Sequence, residues 1–110
     1  MNDPVKLHKW VSNYNWDDGL SPIWPIVESK NTELGTALLI YWRLDGPELL
    51  SEGVNAEAKR LQDLVKLQIL NNYYPRSLVH YDPVQDNNLS ETRLYQYRKT
   101  GIPQVLLEAT

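Results

Sequence analysis

The apolar positions in the first third of the chain recur at helical spacing. Leu7, Trp10, Val11 and Tyr14 stand at i, i+3, i+4 and i+7 and mark one buried face, while His8, Lys9, Ser12 and Asn13 fall largely elsewhere. Asp3-Pro4 supplies the start, because aspartate caps free amides and proline is tolerated at the first helical position. This helix is expected to end between Asn13 and Asn15. Ser21-Pro22 repeats the cap-then-proline signal, and Ile23, Trp24, Ile26 and Val27 predict a short helix to about Ser29. Pro25 falls in its first turn, where a missing amide costs little. From Glu33 to Leu44 the apolar stripe of Leu34, Ala37, Leu38 and Tyr41 is widened by Leu39, Ile40 and Trp42 to most of the circumference. A helix apolar nearly all round is a buried one, wrapped by the others. Gly35 near its start leaves room for a neighbouring backbone, and Asp45-Gly46-Pro47 ends it, with glycine as the left-handed cap.

Glu48-Leu49-Leu50 reads as a single turn before Ser51-Glu52-Gly53, and Asn55 then caps a longer helix to about Tyr73. Ala58, Leu61, Leu64, Val65 and Ile69 keep the helical period there, with Lys59, Arg60, Asp63 and Lys66 toward water, and Pro75 forbids continuation. Beyond Pro75 the period fades. Ser77 to Tyr81 reads as an extended segment or a turn of helix, Asp82-Pro83 through Ser90 as loop, and Leu94 to Tyr97 alternates like a strand. Gly101-Ile102-Pro103 begins a last helical turn through Leu107. The expected fold is all-α: one domain over residues 1–110, a compact orthogonal bundle of three to five helices. An irregular C-terminal tail follows, with room for a short strand pair.

Composition narrows the class. The chain of 110 residues suits one hydrophobic core, and 42% apolar residues exclude disorder. A mean hydropathy of -0.50 and the lack of a long apolar run exclude a membrane span, and Met1-Asn2-Asp3-Pro4 does not read as a signal peptide. With no cysteine there are no disulfides or thiolate metal sites, which fits a reducing cytoplasm. The net charge of -3 argues against a nucleic-acid surface and is compatible with a basic protein partner. Four Trp and seven Tyr with no Phe mean that every aromatic side chain carries a polar tip. Such residues fill cores and also anchor interfaces.

Tyr14-Asn15-Trp16-Asp17-Asp18-Gly19 concentrates two aromatics, two acids and two turn formers in six residues. It reads as a corner anchored to the core, on which the first helices hang. Adjacent acids bind metals or share a proton in catalysis. In a turn they more often point apart, one capping the helix near Pro22 or bonding the turn backbone and the other solvated. Asp45, past the central helix, is the acid that would join them. His8 and His80 stand in no metal-ligand spacing, and His8 is expected at the surface or the edge of the core. Asp82 to Glu91 fails as a calcium loop, because Val84 occupies a ligand position and the required glycine is missing. No phosphate loop, serine elbow or cysteine nucleophile is present, so no catalytic set assembles and no cofactor is expected. Arg93, Arg98 and Lys99 interleave with Tyr95 and Tyr97, a pattern that stacks on single strands elsewhere. Short and set in an acidic chain, it reads here as packing of the tail.

Leu7 to Gly46 resembles a family of small, uncharacterised bacterial proteins, catalogued as a domain of unknown function. The resemblance is carried by Tyr14-Asn15-Trp16-Asp17-Asp18-Gly19 and by Glu33-Leu34-Gly35-Thr36-Ala37-Leu38-Leu39-Ile40-Tyr41-Trp42 closed by Asp45-Gly46. Gly101-Ile102-Pro103-Gln104 is a weaker match, and Val54 to Asn88 offers none. The resemblance implies a helical bacterial domain without an established reaction or cofactor. Proteins of this kind are similar to the small cytoplasmic immunity proteins found beside secreted toxins. The expectation is therefore a non-enzymatic protein-binding domain, with Trp16, Asp17, Asp18, Asp45, Tyr95 and Tyr97 as candidate contacts. A helical scaffold or oligomerisation module is the alternative. A metal-dependent hydrolase built on Asp17, Asp18, Asp45 and His8 ranks last.

Overall fold

The computed structural model describes residues 3–48 and 56–110. Expectations for the turn at Leu49-Leu50, for Ser51-Glu52-Gly53 and for the Asn55 cap lie outside them. Six α-helices are formed among the described residues: α1 (Pro4–Ser12), α2 (Ile23–Glu28), α3 (Leu34–Arg43), α4 (Ala56–Leu70), α5 (Pro83–Asp86) and α6 (Glu91–Lys99). Short 3-10 turns lie at Trp16–Asp18, Gly46–Glu48 and Gln104–Leu106. The fold is all-α, as the periodicity predicts.

Each N-terminal signal has a traceable cause. The Asp3 carboxylate accepts from the amides of Val5 and Lys6, and Pro4 follows at the first helical position. Leu7 and Val11 then turn inward. The Ser21 cap does not form: α2 starts after Pro22 without a side-chain cap, so proline geometry alone opens it. α3 is the axis of the molecule, with every residue from Leu34 to Trp42 buried. α1 and α4 pack on it, and a single apolar cluster joins Val11, Ile23 and Leu38 to Leu61, Tyr97 and Leu106.

Gly35 admits a neighbour, as its position predicts. A methyl group there would stand 2.8 Å from Val79 Cγ1 and 3.1 Å from the Val79 carbonyl oxygen. The end of α3 differs in detail. Asp45 takes the first left-handed position (φ 71°) and Gly46 the second (φ 51°). Gln62 of α4 donates to the carbonyls of Leu44 and Gly46, satisfying acceptors that a helix end leaves open.

Three expectations for the C-terminal half are corrected. α4 ends at Leu70, not at Tyr73, because Asn72 turns left-handed (φ 57°) before Pro75 is reached. Asp82-Pro83 opens α5, the Asp82 side chain accepting from Val84 and Gln85, where loop was expected. Leu94 to Tyr97 belongs to α6, capped by Ser90, so no strand pair occurs among the described residues. Within α6, Leu94 and Tyr97 share the inner face by i, i+3 spacing, while Tyr95 points to water.

Candidate functional site

The corner between α1 and α2 is built on an aromatic stack. Trp10 and Tyr14 lie face to face with ring centres 5.0 Å apart, and Trp16 meets Tyr14 edge-on at 5.7 Å. The Tyr14 hydroxyl donates to the Gly19 carbonyl at 2.6 Å and closes the turn. Asn15 is the cap, its side-chain oxygen accepting from the Asp17 amide. Gly19 leaves the turn at φ 98°, a conformation side chains resist. With Asn15 and Tyr14 holding the backbone, neither acid is needed for it.

Asp17 and Asp18 are accordingly both exposed, and neither side chain makes a hydrogen bond or ion pair among the described residues. The expectation that one of them caps α2 or bonds the turn is not met. Asp45 shares this condition: it is exposed, with its left-handed backbone set by the end of α3. Most other acids serve the fold. Asp3 and Asp82 cap helices, Asp86 pairs with Arg43, Glu48 with Arg93, and Asp63 with Lys59.

A groove of about 320 Å³ joins the two acidic elements. Trp16, Asp17 and Gly19 line it from the corner, Asp45 and Arg43 from the end of α3, and Glu57 from α4. Arg43 is held by Asp86 at 2.9 Å, and Glu57 accepts from the Trp24 indole at 3.3 Å. Asp17 and Asp45 therefore converge on one groove, whereas Asp18 does not line it. The indole nitrogen of Trp16 is buried with no acceptor among the described residues.

The other candidates are placed apart. Tyr95 leaves 63% of its surface exposed, but Tyr97 is 7% exposed, its ring against Trp42 and its hydroxyl donating to Glu48 at 2.7 Å. Arg93 reaches the same carboxylate at 2.8 Å, so Glu48 ties α6 to the turn after α3. His8 sits at the edge of the core, its Nδ1 2.9 Å from the Thr36 hydroxyl, and does not line the acidic groove. Among the described residues no three His, Cys, Asp or Glu side chains gather where they would hold a metal.

A structural acid that the periodicity does not reveal is Glu33. It is 2% exposed, yet its carboxylate is satisfied: Oε1 accepts from the amides of Ser77, Leu78 and Val79 at 3.0, 2.8 and 2.9 Å. In return the Pro75 carbonyl accepts from the Leu34 amide at the start of α3. A charged residue abutting the most apolar helix is the one signal that marks it.

A family model described as a domain of unknown function (DUF4274) matches residues 2–74. The match spans α1 to α4, including both acidic elements of the groove. No curated protein and no solved structure matches the chain. Among the described residues no helix is long and apolar enough to cross a membrane.

Proposed function

The chain belongs to the DUF4274 family, and on that premise we propose that it is a non-enzymatic protein-binding domain. Its partner is a basic protein, most concretely a toxin domain that this chain neutralises as an immunity protein in the bacterial cytoplasm. The observation that carries the reading is the set of three exposed acids, Asp17, Asp18 and Asp45, that hold up no part of the fold. They stand beside an aromatic stack that fixes the corner in advance, so little ordering is left to binding. Complementary charge speeds encounter, and an aromatic anchor slows release.

The test is a pull-down of the tagged protein from its native cells, followed by measured affinity for what co-purifies. A stoichiometric basic protein is expected. Reversing both Asp17 and Asp45 to lysine should weaken its binding at least tenfold, about 1.4 kcal/mol, with the loss shrinking at high salt. Equal affinity of the reversed variant would sink the reading. A second reading, a self-associating helical module, draws on Leu67 and Leu70, which leave 57% and 42% of their surface exposed on α4. A mass that rises with concentration in sedimentation would favour it.

A further inference from the structure

His8 stands where four parts of the molecule meet. It projects from α1, its Nδ1 lies 2.9 Å from the hydroxyl of the fully buried Thr36 in α3, and its ring meets the edge of Tyr81 at 6.3 Å. The Tyr81 hydroxyl donates to Asp86 of α5, which also holds Arg43 of α3. The charged groups around the imidazole are Asp86 and Glu33, which favour the imidazolium, and Arg43, which opposes it. Both acids are already engaged, Asp86 by Arg43 and Tyr81, and Glu33 by three amides. An imidazolium would find no unengaged carboxylate here.

α1 is also the element that carries the corner. His8 is followed by Trp10 and Tyr14, whose stacked rings back Trp16 and whose hydroxyl holds Gly19. Leu7 and Val11 anchor α1 by packing alone. We infer that His8 is a proton-sensitive latch of α1 on α3, and that its protonation shifts the Trp10–Tyr14–Trp16 stack while the bundle stays folded. The coupling concerns the free chain and goes beyond the binding reading, since it needs no partner.

Burial holds the His8 imidazole below its ordinary value of 6.5. A lowered folded value means that the unfolded chain binds the proton more readily. The stabilisation from neutral His8 is therefore present above pH 6.5 and lost as pH falls through the lower folded value.

The experiment is a proton NMR titration of the unmodified free protein from pH 7.5 downward, following both imidazoles and the tryptophan ring signals. His8 should titrate below 6.5, with the Trp10 and Trp16 signals moving on the same curve. In His8→Gln those tryptophan shifts should vanish. Titration of His8 with a still corner would overturn the latch, as would a corner shift that persists in the variant. If His8→Gln fails to fold, the shared or separate midpoints of the unmodified protein decide alone. Loss of the partner in a pull-down would leave this result untouched, so the two readings fail separately.

Discussion

Replacing Glu33 with alanine is expected to destabilise the protein by about 3 kcal/mol, one of the two largest effects foreseen for a single change. Three successive amides, of Ser77, Leu78 and Val79, lose their common acceptor together. Hydrogen bonds to charged groups each contribute roughly 1.5–3 kcal/mol. Water replaces part of this at Ser77 and Leu78, which are exposed, but not at buried Val79. At roughly 4–8 °C per kcal/mol for a domain near this size, the melting temperature should fall by roughly 12–24 °C. Glu33→Gln gives the internal control. All three amides reach Oε1, an acceptor that glutamine keeps, but Leu78 also donates to Oε2 at 3.1 Å, where glutamine would place an NH2 group that cannot accept. The glutamine variant should fall between parent and alanine. Thermal unfolding of the three proteins decides, and an alanine variant melting with the parent would show that the cradle contributes nothing.

Gly46→Ala is expected to cost a similar amount, about 3 kcal/mol, for a different reason. The position is left-handed, where a side chain adds roughly 1–2 kcal/mol of strain. Its new methyl group would also stand 2.6 Å from Cε3 of Trp42. That ring cannot step aside freely, because its indole nitrogen donates to the Leu106 carbonyl at 2.9 Å and its face meets Tyr41 and Tyr97. Overpacking a buried aromatic costs roughly 1–3 kcal/mol. Denaturant unfolding of the variant gives the number directly. A loss below about 1 kcal/mol would mean that the turn yields with little resistance. Because Asp45 precedes this glycine, the same substitution should also disturb the acidic groove and weaken a partner that uses it.

These two residues also show what was legible beforehand. α1 and α3 could be read because burial imposes a period: Leu7 and Val11 line one face, and Leu34 to Trp42 are apolar all round. α6 escaped because Tyr97 is its only buried residue, leaving too few apolar positions to show a period. α5 escaped for a simpler reason. Asp82-Pro83 is the same start signal as Asp3-Pro4, but the helix behind it lasts only four residues. At the site, the corner was visible as a concentration of turn formers and aromatics. Its internal division of labour was not, since Asn15 and Tyr14 perform the bonding that the acids were expected to perform. The convergence of Asp17 with Asp45 depends on how α3 is clamped by Gln62, across 16 to 18 residues of chain. Glu33 lay deepest, because its partners are backbone amides and carry no side-chain signature.

The bond from Trp42 to Leu106 crosses 64 residues, and the Glu33 cradle crosses 44 to 46. Contacts of such separation form late, since the intervening chain must be closed before they return any stability. On a ribosome, the central helix would emerge with only α1 available to pack on it, and the rest of its apolar circumference would wait for more than half of the chain. Its burial becomes complete only after Leu106 has been made. The nascent protein therefore passes through a stretch of synthesis in which its most hydrophobic segment is only partly covered, the condition under which chaperones and aggregation compete for a chain.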